Sequence, residues 1–249
     1  MKLLTLLLTC LLVQTSYAQR ADKFYHYNPE WKPTDLKKAA YTVRIRQTSD
    51  TSFVKTTYNN LGPRISQERF KDADCKTLHG WCAYYRPNGY IDSAGEYAKN
   101  IQTGSWFFYN DDARPFKRKD YENGRFIKDT LYTVLPMDSV LKDTAAVPGA
   151  IESSFKGGRE GWAKYLQANF RYPVQAQKAN VQGVVILQFV IDQKGKVQDP
   201  EVDKSVEYSL DEESLRIIQH SPAWLPASVD GKVLKSWKLQ PVIFMLDGK

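Results

Sequence analysis

Apolar and polar positions divide the chain into two regions of different kinds. Residues 41–135 are rich in Tyr, Phe, Trp, Thr and Gly, the composition of β-strands and turns. From residue 151, apolar residues recur at helical spacing in some segments and on one face of a strand in others. Residues 136–150, "PMDSVLKDTAAVPGA", carry two prolines, a glycine and small polar residues, which predicts a linker. The sequence therefore predicts an α+β protein, with an antiparallel β region followed by a mixed domain over residues 151–249.

The β region repeats itself with a shift of 24 residues. The segment "GWCAYYRPNGYIDSAGEYAKN" from Gly80 aligns with "GSWFFYNDDARPFKRKDYENG" from Gly104, which matches Tyr85 to Tyr109. Each copy supplies an aromatic strand, a turn and a second strand, and a short hairpin of this kind cannot bury its own face. Neighbouring copies should therefore join in one extended sheet. The repeats resemble MORN-type hairpin repeats over roughly residues 56–127, which implies a spacer or binding surface without particular chemistry.

The mixed domain starts with two helical signals and continues with a β-hairpin. Trp162, Tyr165 and Leu166 have helical spacing within residues 158–168, and Pro173 suits the first turn of a second helix. Residues 184–191 then predict a strand, joined by a turn at 192–195 to a partner strand at 196–206. The core face of the first strand is expected to consist of Val185, Leu187, Phe189 and Ile191.

A third helix follows the hairpin. Ser209 and Glu212 have the spacing of a capping box, in which each side chain satisfies a free backbone donor of the other residue. The helix must end before Pro222. Its buried positions are expected to be Leu210, Ile217 and Ile218.

Residues 235–246 predict the last strand of the domain, in which Trp237, Leu239, Ile243 and Met245 share one face. Pro241 lies inside this strand and has no N–H to donate to a ladder, so the strand is expected at the edge of a sheet. The expected sheet is three-stranded and antiparallel, with two or three helices on it. An open edge of this kind is a template for an incoming extended peptide.

The mixed domain resembles the C-terminal domain of TonB energy transducers, in the form found in Bacteroidetes-type bacteria. The resemblance covers residues 155–246 and rests on "FKGGREGWAKYLQANFRYPVQAQKANVQGVVILQFVIDQKGKV", "SLDEESLRIIQHSPAWLPASVDGK" and "LQPVIFML", in this order. It implies a periplasmic domain that captures the TonB-box segment of an outer-membrane receptor by pairing it with the last strand. The binding residues implied are Asn169, Phe170, Arg171, Tyr172, Lys235, Ser236, Trp237, Lys238, Leu239 and Gln240.

The chain departs from the family pattern in two places. Asn169 stands where the best-known members carry a glutamine, which puts side-chain contacts to the TonB box in doubt. The typical transducer also has an uncleaved membrane helix that docks on an inner-membrane proton-channel complex, followed by a Pro-rich rod. Here a signal-like start and the repeats replace them, so capture of a partner is better supported than force transduction. An exported structural or adaptor protein of the envelope without a transduction role is the main alternative.

The first 18 residues have the features of a secretory signal peptide. Lys2 supplies a charge, residues 3–13 are apolar, and Ser16, Tyr17 and Ala18 give the spacing of a cleavage site before Gln19. Eleven helical residues would span only roughly 16 Å of a hydrocarbon core about 30 Å thick, which is too short for a membrane-spanning helix. An uncleaved inner-membrane anchor is therefore the less favoured alternative. The prediction is therefore a periplasmic protein.

The charge of the chain excludes one class of partner and leaves others open. The net charge is +7, but residues 151–249 contain 13 Lys plus Arg and 12 Asp plus Glu, so the excess lies towards the N-terminus. These charges are dispersed and form no nucleic-acid-binding arm, and surface solvation is the favoured interpretation over attraction to an anionic polymer. Peptidoglycan stays open as a partner, and so does a homodimer formed by exchange of edge strands.

Cys75 and Cys82 are the candidates for a disulfide, because an exported chain meets an oxidising compartment and the third cysteine lies in the signal. His79 between them makes a Cys/His metal site conceivable, although the ligand spacing lacks a partner pair. The sequence predicts the disulfide and no metal or cofactor.

An enzyme is the rival class, and the sequence offers little for it. There is no G-x-S-x-G motif, and the glycines at 157, 158 and 161 lack the strand and lysine of a phosphate-binding loop. The three histidines, at positions 26, 79 and 220, are isolated in sequence. Asp111 and Asp112 could form a glycosidase pair, but adjacent turn aspartates more often serve solvation. Aromatic stacking on sugars is likewise less favoured than sheet packing, and the prediction is a protein that is not an enzyme.

A structural alternative places the N-terminal segment, residues 19–40, over the last strand. Phe24, Tyr25, Tyr27 and Trp31 would then fill a groove and block an incoming peptide.

Overall fold

The computed structural model describes residues 22–111, 114–132 and 149–246. They form an antiparallel sheet of nine strands followed by a smaller domain of helices and strands. The predicted α+β class is confirmed. The predicted signal peptide and most of the predicted linker lie outside the described residues.

The nine strands pair in the order of the chain, each antiparallel to the one before it, and we call them the repeat sheet. The sheet begins before residue 41, because residues 23–27 pair with residues 41–45. Its strands are β1 (Lys23–Tyr27), β2 (Tyr41–Ser49), β3 (Ser52–Asn59), β4 (Arg64–Phe70), β5 (Gly80–Tyr85), β6 (Ile91–Ala98), β7 (Ile101–Tyr109), β8 (Pro115–Glu122) and β9 (Arg125–Leu131).

The two sequence repeats form equivalent hairpins, β5–β6 and β7–β8. Gly80 pairs with Tyr97, and Gly104 pairs with Tyr121 at the same position of the next hairpin. Trp106 lies buried over Gly95, where a β-carbon would come within 2.4 Å of the indole ring. Its ring also contacts the ring of Tyr97 at 5.1 Å. In this part of the sheet, aromatic side chains therefore serve packing, as expected.

The C-terminal domain consists of two small sheets and three helices. Its strands are β10 (Ala150–Ile151), β11 (Gly183–Ile191), β12 (Val197–Lys204), β13 (Ala227–Val229), β14 (Lys232–Leu234) and β15 (Ser236–Phe244). Its helices are α1 (Gly158–Asn169), α2 (Val174–Lys178) and α3 (Tyr208–Gln219). One sheet has the order β12–β11–β15 and the other has the order β10–β13–β14.

The core of this domain lies between the β12–β11–β15 sheet and the helices. The predicted core face of β11, with Val185, Leu187, Phe189 and Ile191, is fully buried. The expected residues of α3, Leu210, Ile217 and Ile218, are buried as well, and the helix ends before Pro222 as predicted. The alternation of β11 and the 3.6-residue period of α3 thus identified the two inner surfaces from sequence.

The predicted capping box of α3 is wrong. The N-cap residue is Glu207, whose Oε2 accepts hydrogen bonds from the backbone N of Ser209 at 2.8 Å and from its hydroxyl at 2.6 Å. Glu212 instead forms a bidentate pair with the guanidinium of Arg44 in β2, with distances of 2.6 and 3.0 Å. The Glu212 side chain, which the local pattern assigned to the helix start, therefore makes a contact with a distant part of the chain instead.

The repeat sheet packs directly against the C-terminal domain, and we call this contact the docking interface. At its centre, the buried guanidinium of Arg64 in β4 lies 3.4 Å from the carboxylate of Asp211 in α3. The hydroxyl of Ser205 donates to the same carboxylate at 2.7 Å and accepts the backbone N–H of Arg64 at 2.9 Å. The Asp211 carboxylate also accepts the backbone N–H of Val206 at 3.2 Å. This buried network joins the two parts of the chain.

The docking interface also covers the outer edge of β12. The hydroxyl of Tyr85 donates to the carbonyl of Val202 at 2.7 Å, and the amide of Ser205 donates to the carbonyl of Gly89 at 2.9 Å. Gly89 has a φ of 86°, and a β-carbon there would lie 2.1 Å from the Ser205 carbonyl oxygen. Glycine is therefore required for this close approach, and β12 is no longer an open edge along this stretch.

The N-terminal segment belongs to this interface and does not cover the last strand. The ring of Phe24 in β1 lies edge-on to Tyr208 of α3, with ring centroids 5.4 Å apart. The carboxylate of Asp22 accepts from Arg44 at 2.7 Å. The alternative in which residues 19–40 block β15 is thus not what the described residues show.

Three carboxyl groups in the docking interface have raised pKa values. Burial raises the pKa of Asp203 to about 6, and its carboxyl lies near Tyr109 of β7, whose own pKa burial raises to about 12. Burial also raises the pKa of Asp211 to about 6, although Arg64 and the Ser205 hydroxyl oppose the shift. Burial also raises the pKa of Glu201, although the hydrogen bond that its carboxylate accepts from Gln67 opposes the shift. Between about pH 4 and pH 6, Asp203 and Asp211 therefore hold protons in the folded protein that the unfolded chain has released.

Replacing Arg64 by methionine should destabilise the protein strongly at neutral pH. The change removes the cation and leaves the Asp211 carboxylate buried, which costs about 3 kcal/mol in comparable buried pairs. The loss in the free energy of unfolding should be smaller at pH 5, where Asp211 is protonated. Urea titrations at pH 5 and pH 8 measure both values. Arg125→Met on exposed β9 is the matched control, expected within about 0.5 kcal/mol of the wild type; equal losses in the two variants would contradict a buried pair.

Replacing Asp203 by asparagine should reduce the pH dependence of stability. A carboxyl whose folded pKa is raised from 3.8 to about 6 stabilises the fold fully below its ordinary pKa and loses that contribution as pH rises through 6. The contribution lost across this window is about 3 kcal/mol. Urea titrations of Asp203→Asn from pH 4 to pH 8 should therefore show a flatter profile than the wild type. Asp199→Asn, exposed on the same strand, should keep the wild-type slope, and identical slopes in all three proteins would show that Asp203 is not buried in solution.

Candidate functional site

β15 is an edge strand of the three-stranded sheet. It pairs with β11 without interruption from Gly183 opposite Phe244 to Ile191 opposite Ser236, and no described strand pairs with its other side. Pro241 lies opposite Ile186 within this continuous ladder. Because a proline is tolerated where the backbone N–H points away from the ladder, residues of the same parity as Pro241 present their N–H and C=O groups outwards.

The two faces of β15 differ in burial. Val242 and Phe244 are fully buried under the helices. The opposite face carries apolar side chains that remain open to solvent, which are Trp237 at 68% exposure, Leu239 at 56% and Ile243 at 56%, and Met245 directly after the strand is 74% exposed. An apolar surface of this kind, next to a free strand edge, marks a contact site for another chain.

Residues 169–172, predicted to help bind a peptide, pack at the C-terminal end of β15. The rings of Phe170 and Tyr172 lie 5.0 and 5.6 Å from the ring of Phe244. The hydroxyl of Tyr172 donates to the carbonyl of Val181 at 2.7 Å. Asn169 ends α1, and its side chain donates back to the carbonyl of Tyr165 at 2.9 Å. Phe170 and Tyr172 thus support the strand, and the Asn169 amide is used within its own helix.

The predicted residues of β15 itself, from Ser236 to Gln240, lie in its N-terminal half, opposite Leu187 to Ile191 of β11. The Nζ atom of Lys238 donates to the carbonyl of Ser153 at 2.9 Å, and the hydroxyl of Ser236 donates to the Ser153 hydroxyl at 2.9 Å. Lys235 precedes the strand and is exposed. The predicted residues are therefore spread along β15 and beyond its two ends rather than gathered in one compact site.

A shallow depression beside β15 contains residues that the sequence did not single out as a site. It has a volume of about 200 Å³ and lies between the end of α1 and the strand. Phe170 is the one predicted residue that lines it; the others are Leu166, Gln167 and Ile243. The alternation of side chains along β15 could have identified Ile243 as a residue of the exposed face. No sequence pattern indicates which helix lies beside it.

A second, larger cleft lies between the repeat sheet and α3, with a volume of about 820 Å³. Arg171 lines this cleft, and its backbone N–H donates to Glu213 at 2.8 Å. The same carboxylate accepts two hydrogen bonds from Arg216, both at 2.7 Å. Arg171 is therefore directed towards the docking interface, and its predicted contact with a peptide on β15 has no support in this arrangement.

Cys75 and Cys82 are both free thiols, so the predicted disulfide is not formed in this structure. Cys82 is fully buried in β5, while Cys75 lies in the loop between β4 and β5, and each thiol contacts a backbone carbonyl of its own segment. Burial raises the pKa of Cys82 to about 11 and that of Cys75 in the same direction, so both are poor nucleophiles.

The described residues contain no group of three His, Cys, Asp or Glu side chains that could hold a metal ion. Asp111 forms an ion pair with Arg86 at 2.6 Å, and Asp112 lies outside the described residues. His26 is hydrogen-bonded to Thr42 at 3.2 Å, and His220 approaches the carbonyl of Arg216 at 2.9 Å. These side chains have structural partners, and the chemistry that the site offers is binding through a strand edge.

Residues 168–246 match the family model described as Gram-negative bacterial TonB protein C-terminal. This region of the chain belongs to the TonB C-terminal family. The match covers α2, α3 and β11 to β15, which are the elements that build the edge strand and its support. No curated protein and no solved structure matched the chain in the corresponding searches. The repeat sheet lies outside the family match, and its likeness to MORN repeats stays a prediction.

Membership of the TonB C-terminal family supports a TonB-like role in energy-coupled transport and an interaction with outer-membrane receptors in general. The family is associated with the cell envelope and is a transport family rather than an enzyme family. Among the residues that the structure describes, no helix combines the length and apolar composition that crossing a bilayer requires.

Glu213→Ala should loosen the segment that supports β15. The change removes the acceptor of the Arg171 backbone N–H and both hydrogen bonds of Arg216, so we expect a loss of about 2 kcal/mol in the free energy of unfolding. Hydrogen exchange at the Arg171 amide should become faster. Glu152→Ala, at an exposed position in the same domain, should leave both measurements unchanged. Unaltered exchange at Arg171 in Glu213→Ala would show that Glu213 does not hold the segment.

Proposed function

We propose that the C-terminal domain binds the TonB-box segment of an outer-membrane receptor as an added strand on β15. The observation that carries the proposal is the difference between the two edges of the sheet. The edge of β12 is covered by the docking interface, through the Tyr85 and Gly89 contacts. The edge of β15 is unpaired among the described residues.

Strand addition fits the geometry of β15. An incoming peptide gains main-chain hydrogen bonds from the outward groups of Trp237, Leu239 and Ile243, and its alternate side chains fall on the two faces of the sheet. On one face they extend the apolar surface of β15. On the other face they approach the depression lined by Leu166 and Phe170. In this arrangement, the predicted residues that contact the peptide are those of β15 and Phe170. Tyr172 supports the strand.

The repeat sheet contributes rigidity in this proposal. Because it is joined to α3 and β12 by buried hydrogen bonds, it acts as an extension of the peptide-binding domain rather than as a freely jointed spacer. A protein of this form works in the periplasm, and export by the signal-like residues 1–18 is part of the proposal. An inner-membrane proton-channel complex would be the source of force if the chain transduces energy.

Leu239→Pro should abolish binding of a TonB-box peptide while preserving the fold. Leu239 lies two residues before Pro241, so its backbone N–H also points away from β11. A proline at this position therefore removes an outward N–H and leaves the ladder with β11 intact. We expect affinity to fall by at least about tenfold in a fluorescence anisotropy titration of the full-length protein with a labelled TonB-box peptide. Circular dichroism and the urea midpoint should remain close to those of the wild type.

Leu239→Ala is the matched variant, because it truncates the same side chain and keeps the N–H. It should bind the peptide with a smaller loss than Leu239→Pro. If Leu239→Pro bound as tightly as the wild type, strand addition on β15 would be wrong. If the wild-type protein showed no saturable binding, the adaptor alternative would take its place.

A further inference from the structure

The turn between β1 and β2 holds a tryptophan in an unusual conformation. Trp31 has a φ of 57°, in the left-handed region, which bulky side chains rarely adopt. Asn28 closes the turn from both sides, because its Oδ1 accepts the backbone N–H groups of Glu30 at 3.1 Å and Lys32 at 2.9 Å. The backbone of Asn28 also accepts from Trp31 and donates to Lys32, both at 3.0 Å. The turn is thus a closed, built structure that presents one side chain.

The indole of Trp31 is held flat against the sheet. It stacks on Tyr41 of β2 with centroids 4.4 Å apart and an angle of 8° between the ring planes, and it contacts Tyr27 at 5.7 Å. Tyr41 covers one face of the indole, and 51% of the side chain remains exposed. Together with exposed Tyr25, which lies two residues from Tyr27 on the same face of β1, these rings form a surface that we call the aromatic platform.

The aromatic platform faces away from the C-terminal domain. Side chains alternate along β1, and Phe24 contacts Tyr208 of α3 across the docking interface. Tyr25 and Tyr27 therefore lie on the opposite face of the sheet. A ligand on the platform would leave the docking interface and β15 untouched, so the platform is independent of the peptide site.

Packing alone does not account for Trp31. A glycine or asparagine would close the same turn without backbone strain, and a side chain placed for packing would not leave half of its surface in water. Strained backbone conformations cluster at functional sites, and Trp31 combines one with a large exposed ring, whereas the other described non-glycine residues of left-handed φ carry no aromatic side chain. Glu30 and Lys32 are the sequence neighbours of Trp31 in this turn, and both are exposed, so the turn also carries charged side chains that can donate and accept hydrogen bonds.

We propose that the aromatic platform binds the sugar rings of an envelope glycan. The apolar face of a pyranose ring stacks on a flat indole, while its hydroxyl groups need donors and acceptors at the rim of the ring, and Asn28, Glu30 and Lys32 supply both. The side-chain N–H₂ group of Asn28 donates to no other described residue, so it is available to a hydroxyl group. The ligand class is a polymer of hexoses or amino sugars, which the peptidoglycan strand and the lipopolysaccharide chain both offer.

The test is co-sedimentation of the full-length protein with purified peptidoglycan sacculi, together with titrations of chitohexaose and of delipidated lipopolysaccharide. Binding to sacculi and chitohexaose would identify the peptidoglycan strand, and binding to the lipopolysaccharide polymer alone would identify the other source. Trp31→Gly should weaken binding by about tenfold or more. It should not unfold the protein, because glycine accepts the left-handed conformation without strain.

Leu61→Gly is the matched control. Leu61 is also an exposed apolar residue with a left-handed φ of 53°, in the turn between β3 and β4, and it has no ring to stack. It should bind glycans as the wild type does. Trp31→Tyr should retain part of the affinity, which separates ring stacking from turn shape. Equal binding by Trp31→Gly and the wild type, or no binding to any of the three glycans, would overturn the proposal, and a TonB-box titration of Trp31→Gly should be unchanged in every case.

Discussion

The buried pair of Arg64 and Asp211 determines how the two parts of this chain are arranged. A guanidinium and a carboxylate removed from water need each other and further hydrogen bonds, because an isolated buried charge is costly. Ser205 supplies the bridging hydroxyl, and Tyr58 accepts from the guanidinium at 3.1 Å. This network lies where the repeat sheet meets the end of β12 and the start of α3.

The position of the candidate site follows from that contact. A three-stranded sheet has two edges, and each is a template for another strand. Docking covers the edge of β12 and leaves β15 free, with the apolar side chains of Trp237 and Leu239 exposed beside it. The repeat sheet therefore does more than extend the chain, since it leaves one edge of the TonB C-terminal domain for a partner and hides the other. The aromatic platform at its far face adds a second surface that does not compete with the first.

Much of the fold was readable from local patterns. The alternation of β11, the helical period of α3 and the shifted repeat of the hairpins each depend on neighbours in sequence, and all three are confirmed. Pro241 indicated an edge strand because proline removes a donor wherever it occurs. The capping box of α3 was wrong for the opposite reason: Glu212 has a stronger partner in Arg44, which lies 168 residues away and leaves no trace in the local pattern.

The sequence by itself determined the elements, the inner face of the C-terminal domain, the family to which that domain belongs and the strand that forms its edge. Periodicity, turn residues and proline chemistry are local properties, so one sequence is enough to show them. Only the tertiary structure decided that the second edge is covered, that Arg171 lines the cleft beside α3, and that Phe170 and Ile243 line one depression beside the strand. These outcomes depend on which surfaces exclude water together, and that choice is made by the whole chain rather than by any segment of it.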